Sequence, residues 1–432
     1  MLRRIEVLGV AVVLVVAALS TGAEFLFFLI YLGIIVIGGS YVVTRFGLAD
    51  LEAGYVLDKL HAQAGDVLRA NYTVRNTSRL PKLWLEIHNP TTLPLGLPGQ
   101  AITIGPHGER SWSVRVPLTR RGHFQVDPMA LRTGDPLGLF ESNAAVGGYS
   151  TVIVYPHVDA LPGFRMPPAF VEGGHADKVR TPHNTPTVSS VREYVPGDSY
   201  NRIHWKTSAR IGELVVKEFE LEQTADVWIF LDLNAATHTG TGDESTLEYA
   251  VRVAASIAAR ALVENRKVAL TASGAHISPV PSDRGPRQYQ KIMQTLAAMM
   301  ADGDRPLEEV LVENVARLRR GMTAVIITPS LDPHWVRPLT GLRNRGVQTV
   351  NILLDAPAFA TFGLSPDDVY VEDPDGALVD ERERYAEDLR ALRAVRHALA
   401  EHDLRYIPIE PGEPLAAQLV TRGPRPTLVV SR

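Results

Sequence analysis

The chain has 432 residues, of which 45% are hydrophobic and 21% charged, with 44 basic residues against 48 acidic ones and no cysteine. The length fits two or three domains at about 150 residues each, and the composition excludes a disordered chain, a collagen-like chain and a small disulfide scaffold. A net charge of -4 argues against a protein built to neutralise nucleic-acid phosphates, and the missing cysteine removes disulfides, thiolate metal sites and cysteine nucleophiles.

The N-terminus departs from this average. Val7 to Ala23 carries no charge for 17 residues and Phe25 to Thr44 none for 20. As helices these would run about 25 and 30 Å, close to the hydrocarbon thickness of a bilayer. Ser20 to Glu24 reads as a tight turn between them. Arg3 and Arg4 precede the first segment and Arg45 follows the second, while the turn holds no Lys or Arg. The positive-inside rule therefore places both ends in the cytoplasm. A cleaved signal peptide is the alternative for the first segment, with a weak site at Ala18-Leu19-Ser20. The expected organisation is a transmembrane helical hairpin over 1–45, inserted in the lipid bilayer through residues 7–44, with a cytosolic body behind it.

Residues 46–160 show short alternating runs separated by turn residues. Val67 to Asn76, Leu83 to Ile87, Trp112 to Val116 and the run after Arg121-Gly122-His123-Phe124 read as strands of a small antiparallel, sandwich-like domain. Asp135-Pro136-Leu137-Gly138-Leu139-Phe140 reads as a turn whose apolar ends tuck back into the core. No catalytic spacing occurs here. Residues 161–190, rich in Pro, Gly and polar side chains, read as a linker or an arm.

From residue 226 the pattern becomes α/β. Val227 to Leu231 is a continuous apolar run, as expected for a strand buried on both faces. Ser245 and Glu248 form a capping box for a helix carrying Leu247, Ala250, Val251, Ala254, Ala258 and Ala261. Further strands are expected at Val268 to Ala272, Ala324 to Thr328, Val347 to Leu354, Tyr406 to Ile409 and Thr427 to Val430. Helices are expected around Tyr289 to Leu296, Leu307 to Leu318, after Asp332-Pro333, and from Tyr385 to Leu399. Alternation of this kind predicts a mostly parallel, doubly wound sheet with helices on both faces. Ligands of such sheets sit beyond the carboxyl ends of the strands, where Asp232 and Thr328 fall.

The stretch before the first of these strands is the densest in the chain. It contains Arg192, Glu193, Tyr194, Pro196, Gly197 and Asp198, then Arg202, His204, Trp205, Lys206, Ser208 and Arg210, then Glu213 and Leu214 to Glu220. Five basic residues (Arg192, Arg202, Lys206, Arg210, Lys217) mix with six acidic ones (Glu193, Asp198, Glu213, Glu218, Glu220, Glu222). Asp198 could accept from backbone N–H groups or from Arg192 or Arg202, and Tyr194 and Trp205 offer faces for a guanidinium. Three readings stand: an ion-paired joint between domains, a surface that docks a partner or an anion, and a catalytic pair of His204 with Asp198. The last lacks a placed nucleophile and oxyanion donor.

This hallmark resembles that of the domain of unknown function 58 family. The Arg121 to Phe124 and Asp135 to Phe140 motifs match the same family's middle segment, with Leu137 where an aromatic residue is usual. The resemblance implies a membrane hairpin, a β-rich segment and, over 191–432, the hallmark followed by a von Willebrand factor A-like α/β domain. It also implies a partner, because members are often encoded beside MoxR-type AAA+ ATPases. Domains of the von Willebrand A type hold a divalent ion at Asp-x-Ser-x-Ser, a Thr and a later Asp. Here the first motif reads Asp232-Leu233-Asn234-Ala235-Ala236, and the later strand ends Thr328-Pro329-Ser330. Asp232 and Asn234 could contribute oxygens to Mg²⁺, but Ala236 contributes none, so at least two ligands are missing and no cofactor is expected. No phosphate loop, zinc-helix motif or nucleophile elbow is present. The resulting expectation is a non-enzymatic, membrane-anchored interaction protein that engages a MoxR-type AAA+ ATPase and no nucleic acid. A metal-dependent ligand-binding module and a membrane-associated hydrolase are the alternatives.

Overall fold

The computed structural model describes residues 2–164, 166, 188–196, 198–219, 226–274, 279–363, 370–372 and 378–421; within them, side chains are described except at 2–8, 188–190, 202, 217–219, 370–372, 378–382 and 420–421. The expected strand at Thr427 to Val430, Gly197, Glu220, Glu222 and most of the expected linker (165 and 167–187) lie outside the described residues. The chain divides into two compact units, Met1–His157 with Leu296–Ala298, and Val158–Thr295 with Met299–Arg432.

The first unit opens with helices α1 (Leu2–Thr21) and α2 (Glu24–Gly47). The turn is tighter than expected. Helix α1 runs through Thr21, and the Gly22 amide returns to the Ala18 carbonyl at 3.0 Å. Among the described residues, α2 is the helix long and apolar enough to cross a membrane, and Gly9–Thr21 is a shorter apolar stretch. Ten strands follow: β1 (Leu51–Leu57), β2 (His61–Gln63), β3 (Val67–Asn76), β4 (Lys82–His88), β5 (Gln100–Ile104), β6 (Glu109–Pro117), β7 (Gly122–Val126), β8 (Met129–Gly134), β9 (Glu141–Val146) and β10 (Ser150–Tyr155). They form sheets of order β1-β3-β6, β2-β10-β7 and β5-β4-β8-β9. Strict alternation along β3 buries Leu68, Ala70, Tyr72 and Val74 against Leu85, Ile87, Val116 and Met129, as period-two patterning requires. The arrangement is not purely antiparallel, as the sequence suggested, because β2 pairs parallel with β10. The Asp135 to Phe140 motif is the β8–β9 connection. Leu139 is buried there, but Leu137 is 47% exposed, so the motif does not tuck both apolar ends inward.

The second unit begins with a tie between chain and helix. Asp159 accepts two bonds from Arg252, at 2.5 and 2.7 Å. Strand β11 (Val188–Glu193) then pairs antiparallel with β12 (Val215–Phe219), and α3 (Trp205–Ile211) lies between them in the chain. The main sheet comprises β13 (Val227–Leu231), β14 (Val268–Ala272), β15 (Val280–Asp283), β16 (Thr323–Thr328), β17 (Gln348–Leu354) and, after a short hairpin of β18 (Tyr370–Glu372) and β19 (Leu378–Asp380), β20 (Tyr406–Ile409). Its order is β15-β14-β13-β16-β17-β20, with every pairing parallel except β14 with β15. Among the described residues, seven helices accompany this sheet: α4 (Thr246–Val263), α5 (Pro286–Ala298), α6 (Leu307–Asn314), α7 (Arg337–Asn344), α8 (Ala356–Thr361), α9 (Glu381–Glu401) and α10 (Leu415–Thr421).

Both faces of the sheet are covered. Phe230, Ala324, Ile326 and Leu353 share a core with Leu307, Leu311, Leu339, Leu342, Leu392, Val395 and Leu399, so α6, α7 and α9 lie on one face. Their chain neighbours Ile229, Leu231, Val325, Ile327, Ile352 and Leu354 are equally buried on the other, where α4 packs against β13, β14 and β16. Double burial explains the unbroken apolar runs that marked these strands in the sequence. The strand order reverses between β13 and β16. This puts the switch point of the fold, the usual ligand crevice, at the carboxyl ends of those two strands.

Candidate functional site

Asp232 follows β13 directly and Thr328 ends β16, so the register that pairs Leu231 with Ile327 sets the two side by side. Asp232 is 1% exposed. Its Oδ2 accepts from Thr328 Oγ1 at 2.7 Å, and its Oδ1 accepts from Ser273 Oγ at 3.2 Å and from the Asn234 amide at 3.1 Å. The hydroxyls are themselves held: Ser273 Oγ accepts the Leu233 amide and Thr328 Oγ1 accepts the Ser330 amide. His238 bridges the Asp232 carbonyl and Thr246 Oγ1, each at 3.0 Å. Gly303 closes the crevice on the adjacent loop. A Cβ there would lie 2.2 Å from the Ser273 carbonyl oxygen, so glycine is required by close backbone approach.

This arrangement does not fit a divalent ion. Mg²⁺ needs near-octahedral oxygen ligation, yet three protein donors already face the one carboxylate, and the Asn234 side-chain oxygen accepts from the Ala236 amide to cap a 3-10 turn. Among the described residues no cluster of three or more His, Asp or Glu side chains has metal-binding geometry. Ser273 was not singled out in the sequence. A small polar residue immediately after a buried strand was the available signal.

The hallmark folds as a self-consistent strand, helix and strand. Arg192 donates both terminal nitrogens to Asp198, at 2.8 and 2.7 Å, in a two-pronged, partly buried pair. Asp198 Oδ2 also accepts the Val195 amide, so the Pro196 turn is locked by one carboxylate. Chain reversal continues through Tyr194 N to Leu214 O and His204 N to Val215 O, both 2.8 Å. His204 caps α3, its Nδ1 accepting the Thr207 amide at 3.2 Å and facing Thr207 Oγ1 at 2.7 Å. Ser208 is buried and accepts the Val215 amide at 2.9 Å. Gly212, at φ 82°, ends the helix by returning its amide to Ser208.

The structure thus spends Asp198 on Arg192 and His204 on capping, and does not assemble them as a catalytic pair. Tyr194 stacks on Tyr200 at 6.1 Å. Lys206 and Arg210 are exposed. The side chains of Arg202 and Lys217 lie outside the described ones. What the sequence did not reveal is how much apolar surface the hallmark leaves exposed. Trp205 is 64% exposed, Tyr200 69% and Ile211 58%, with Val191, Val195 and Leu214 also exposed, while Ile203, Val215 and Val216 form the inner side.

These features define a doubly wound α/β domain preceded by a β–α–β hallmark. The family described as "Protein of unknown function DUF58" matches residues 190–391, and this region of the chain belongs to it. "Uncharacterized protein YeaD" of Bacillus subtilis (strain 168) is 26% identical over 318 residues, covering 71% of this chain and 75% of that protein. "Uncharacterized protein Rv1480" of Mycobacterium tuberculosis (strain ATCC 25618 / H37Rv) is 32% identical over 181 residues, covering 40% of this chain and 56% of its own length. Among solved structures, an aerotolerance-related membrane protein from Bacteroides fragilis NCTC 9343 is similar at 15% identity, over 46% of this chain and 97% of that chain, with a TM-score of 0.28. A score of that size establishes no shared fold.

Proposed function

We propose that the protein is a membrane-anchored interaction protein that works by docking a partner and not by catalysis. In this reading α1 and α2 form a two-pass hairpin with both ends cytoplasmic, because basic residues flank the apolar segments and the turn between them has none. The second unit is a von Willebrand A-like domain in which hydroxyl and amide donors have replaced a metal ion around Asp232. The sheet order, the short antiparallel edge strand β15 and the Asp232 position support that assignment.

The observation that carries the docking reading is the exposed apolar surface of the hallmark. A short helix, fixed at both ends by hydrogen bonds, exposes Trp205 at its start and Ile211 at its end, and Tyr200 is exposed just before it. Rigid aromatic side chains on a pre-ordered surface are the usual anchors of protein interfaces. Covering the exposed parts of these three would contribute on the order of 5 kcal/mol before association costs. The partner we assign is a MoxR-type AAA+ ATPase, as the family resemblance implies. Affinity purification from native membranes in gentle detergent, with and without ATP, tests it. Recovery of a AAA+ ATPase in a nucleotide-dependent manner is expected. Partner-free protein under both conditions would overturn the assignment.

A further inference from the structure

We propose that the β8–β9 connection, Asp135 to Phe140, is seated in the interfacial layer of the bilayer, so that the β domain docks on lipid directly as well as hanging from α2. The inference rests on the reading that α2 spans the membrane.

Helix α2 is not free along its whole length. Ser40, Thr44 and Gly47 are buried, three small residues on one face of the last two turns. The Ser40 hydroxyl faces the Asp135 carboxylate, and Tyr41 meets Phe140 edge-on at 5.7 Å. At Gly47 a Cβ would lie 2.6 Å from the Thr133 methyl carbon. The buried Lys82 Nζ donates to the Phe46 carbonyl at 2.7 Å, closing the helix end. The β domain therefore wraps α2 from Ser40 onward. Phe25 to Gly39 remains for lipid, which is about 22 Å of helix. A hydrocarbon core of about 30 Å exceeds that by roughly 8 Å, and tilting the helix only shortens its reach. The surface beside Ser40 must then meet the bilayer at interfacial depth.

That surface has the chemistry the interface selects. The tip Pro136-Leu137-Gly138 carries no charge, and all three residues are exposed. Asp135 is turned inward, accepting the Leu137 and Phe140 amides at 2.9 and 2.6 Å, so the loop is held rigid with Leu137 outward. The Trp84 ring lies at the base of the loop, next to Gly134, and is itself partly exposed, as is Tyr41. Trp and Tyr concentrate at this depth in membrane proteins. The charges beside the loop, Arg132 and Glu141, pair at 2.8 Å and suit the headgroup level.

The absence of native cysteine makes a direct test simple. Single cysteines at Leu137→Cys, Pro136→Cys, Ile34→Cys and Val56→Cys each carry a nitroxide, and the full chain is reconstituted in phosphatidylethanolamine–phosphatidylglycerol vesicles. Collision with oxygen and with a water-soluble nickel chelate is then measured. At 136 and 137 the nickel collision rate is expected to drop several-fold below that at Val56, an exposed β1 position, with oxygen access retained. Nickel access equal to Val56 while Ile34 remains in lipid would overturn this inference and leave the membrane span standing. Shielding of both loop positions from both reagents would mean protein contact, such as a second copy, and would also overturn it. An aqueous Ile34 would remove the span, and this inference with it.

Discussion

Asp232 is the acceptor on which the switch point of the α/β sheet converges, so its removal should be costly in a specific order. Asp232→Ala strands the Asn234 amide and the Ser273 and Thr328 hydroxyls, whose bonds to the carboxylate are 3.1, 3.2 and 2.7 Å. A buried donor left unsatisfied costs about 1–3 kcal/mol. The hydroxyls can rotate, and losing a buried charge returns some desolvation energy, so a net loss of about 3 kcal/mol is expected. At roughly 2–4 °C per kcal/mol for a domain of this class, the melting temperature should fall by about 6–12 °C. Asp232→Asn keeps an acceptor for Asn234 and Ser273 but turns an amide N–H toward Thr328, which can accept instead, so about 1 kcal/mol is lost. Differential scanning calorimetry of the full chain in detergent, with EDTA and with magnesium, reads both effects. An Asp232→Ala protein that melts with the wild type would refute the hub. So would a magnesium-dependent rise in the wild type that Asp232→Ala abolishes. An ion at ten times its dissociation constant would stabilise by about 1.4 kcal/mol, a shift large enough to see.

Three further outcomes follow from the same geometry. Asp198→Asn breaks a partly buried two-pronged pair with Arg192 and should cost about 1–2 kcal/mol; it should also raise amide exchange at Val195, measured by hydrogen–deuterium exchange. Burial alone would raise the Asp135 carboxyl, but the Phe140 and Leu137 amides and the Ser40 hydroxyl outweigh it and hold the group below the usual carboxylate range. A depressed folded value contributes stability above the unfolded value of about 3.9 and loses it as pH falls through the folded one. Asp135→Asn should therefore flatten the acid limb of the β domain's stability below about pH 4, followed by circular dichroism. Gly303→Ala should displace the Ser273 carbonyl and with it the Asp232 hydrogen bond. It should lower the melting temperature of Asp232→Ala less than that of the wild type, because the two changes damage one network.

Much of the second unit was legible because its strands are buried on both faces. Val227 to Leu231, Val268 to Ala272 and Tyr406 to Ile409 appear where the apolar runs placed them, and Ser245 caps α4 through the Glu248 amide as the capping box requires. Strand β15 was missed because Pro281, Ser282 and Asp283 at an exposed sheet edge carry no such signal. The helix expected after Asp332 begins as a 3-10 turn, since Pro333 sets the backbone angle but gives no amide, and becomes α-helical only at Arg337. In the β domain, β3 was plain from strict alternation. The parallel pairing of β2 with β10 was not, because register between strands so distant in sequence depends on side-chain packing and leaves no local pattern. The hallmark's residues were recognised but not its geometry. Nothing in the spacing of Asp198 and His204 shows that one is spent on Arg192 and the other on the α3 cap. Nor does the sequence distinguish the inward Ile203 from the outward Ile211.

The docking account rests on the exposed apolar surface of the hallmark, and one comparison tests it most directly. Tyr200→Ala, Trp205→Ala and Ile211→Ser are combined in the full chain and expressed in native membranes beside the wild type. All three positions are exposed, so each change should leave stability within about 0.5 kcal/mol, and an unshifted melting curve confirms that the fold is kept. The account predicts that the variant reaches the membrane in equal amount and loses its ATP-dependent AAA+ partner on affinity purification. Equal recovery of that partner by variant and wild type would contradict it.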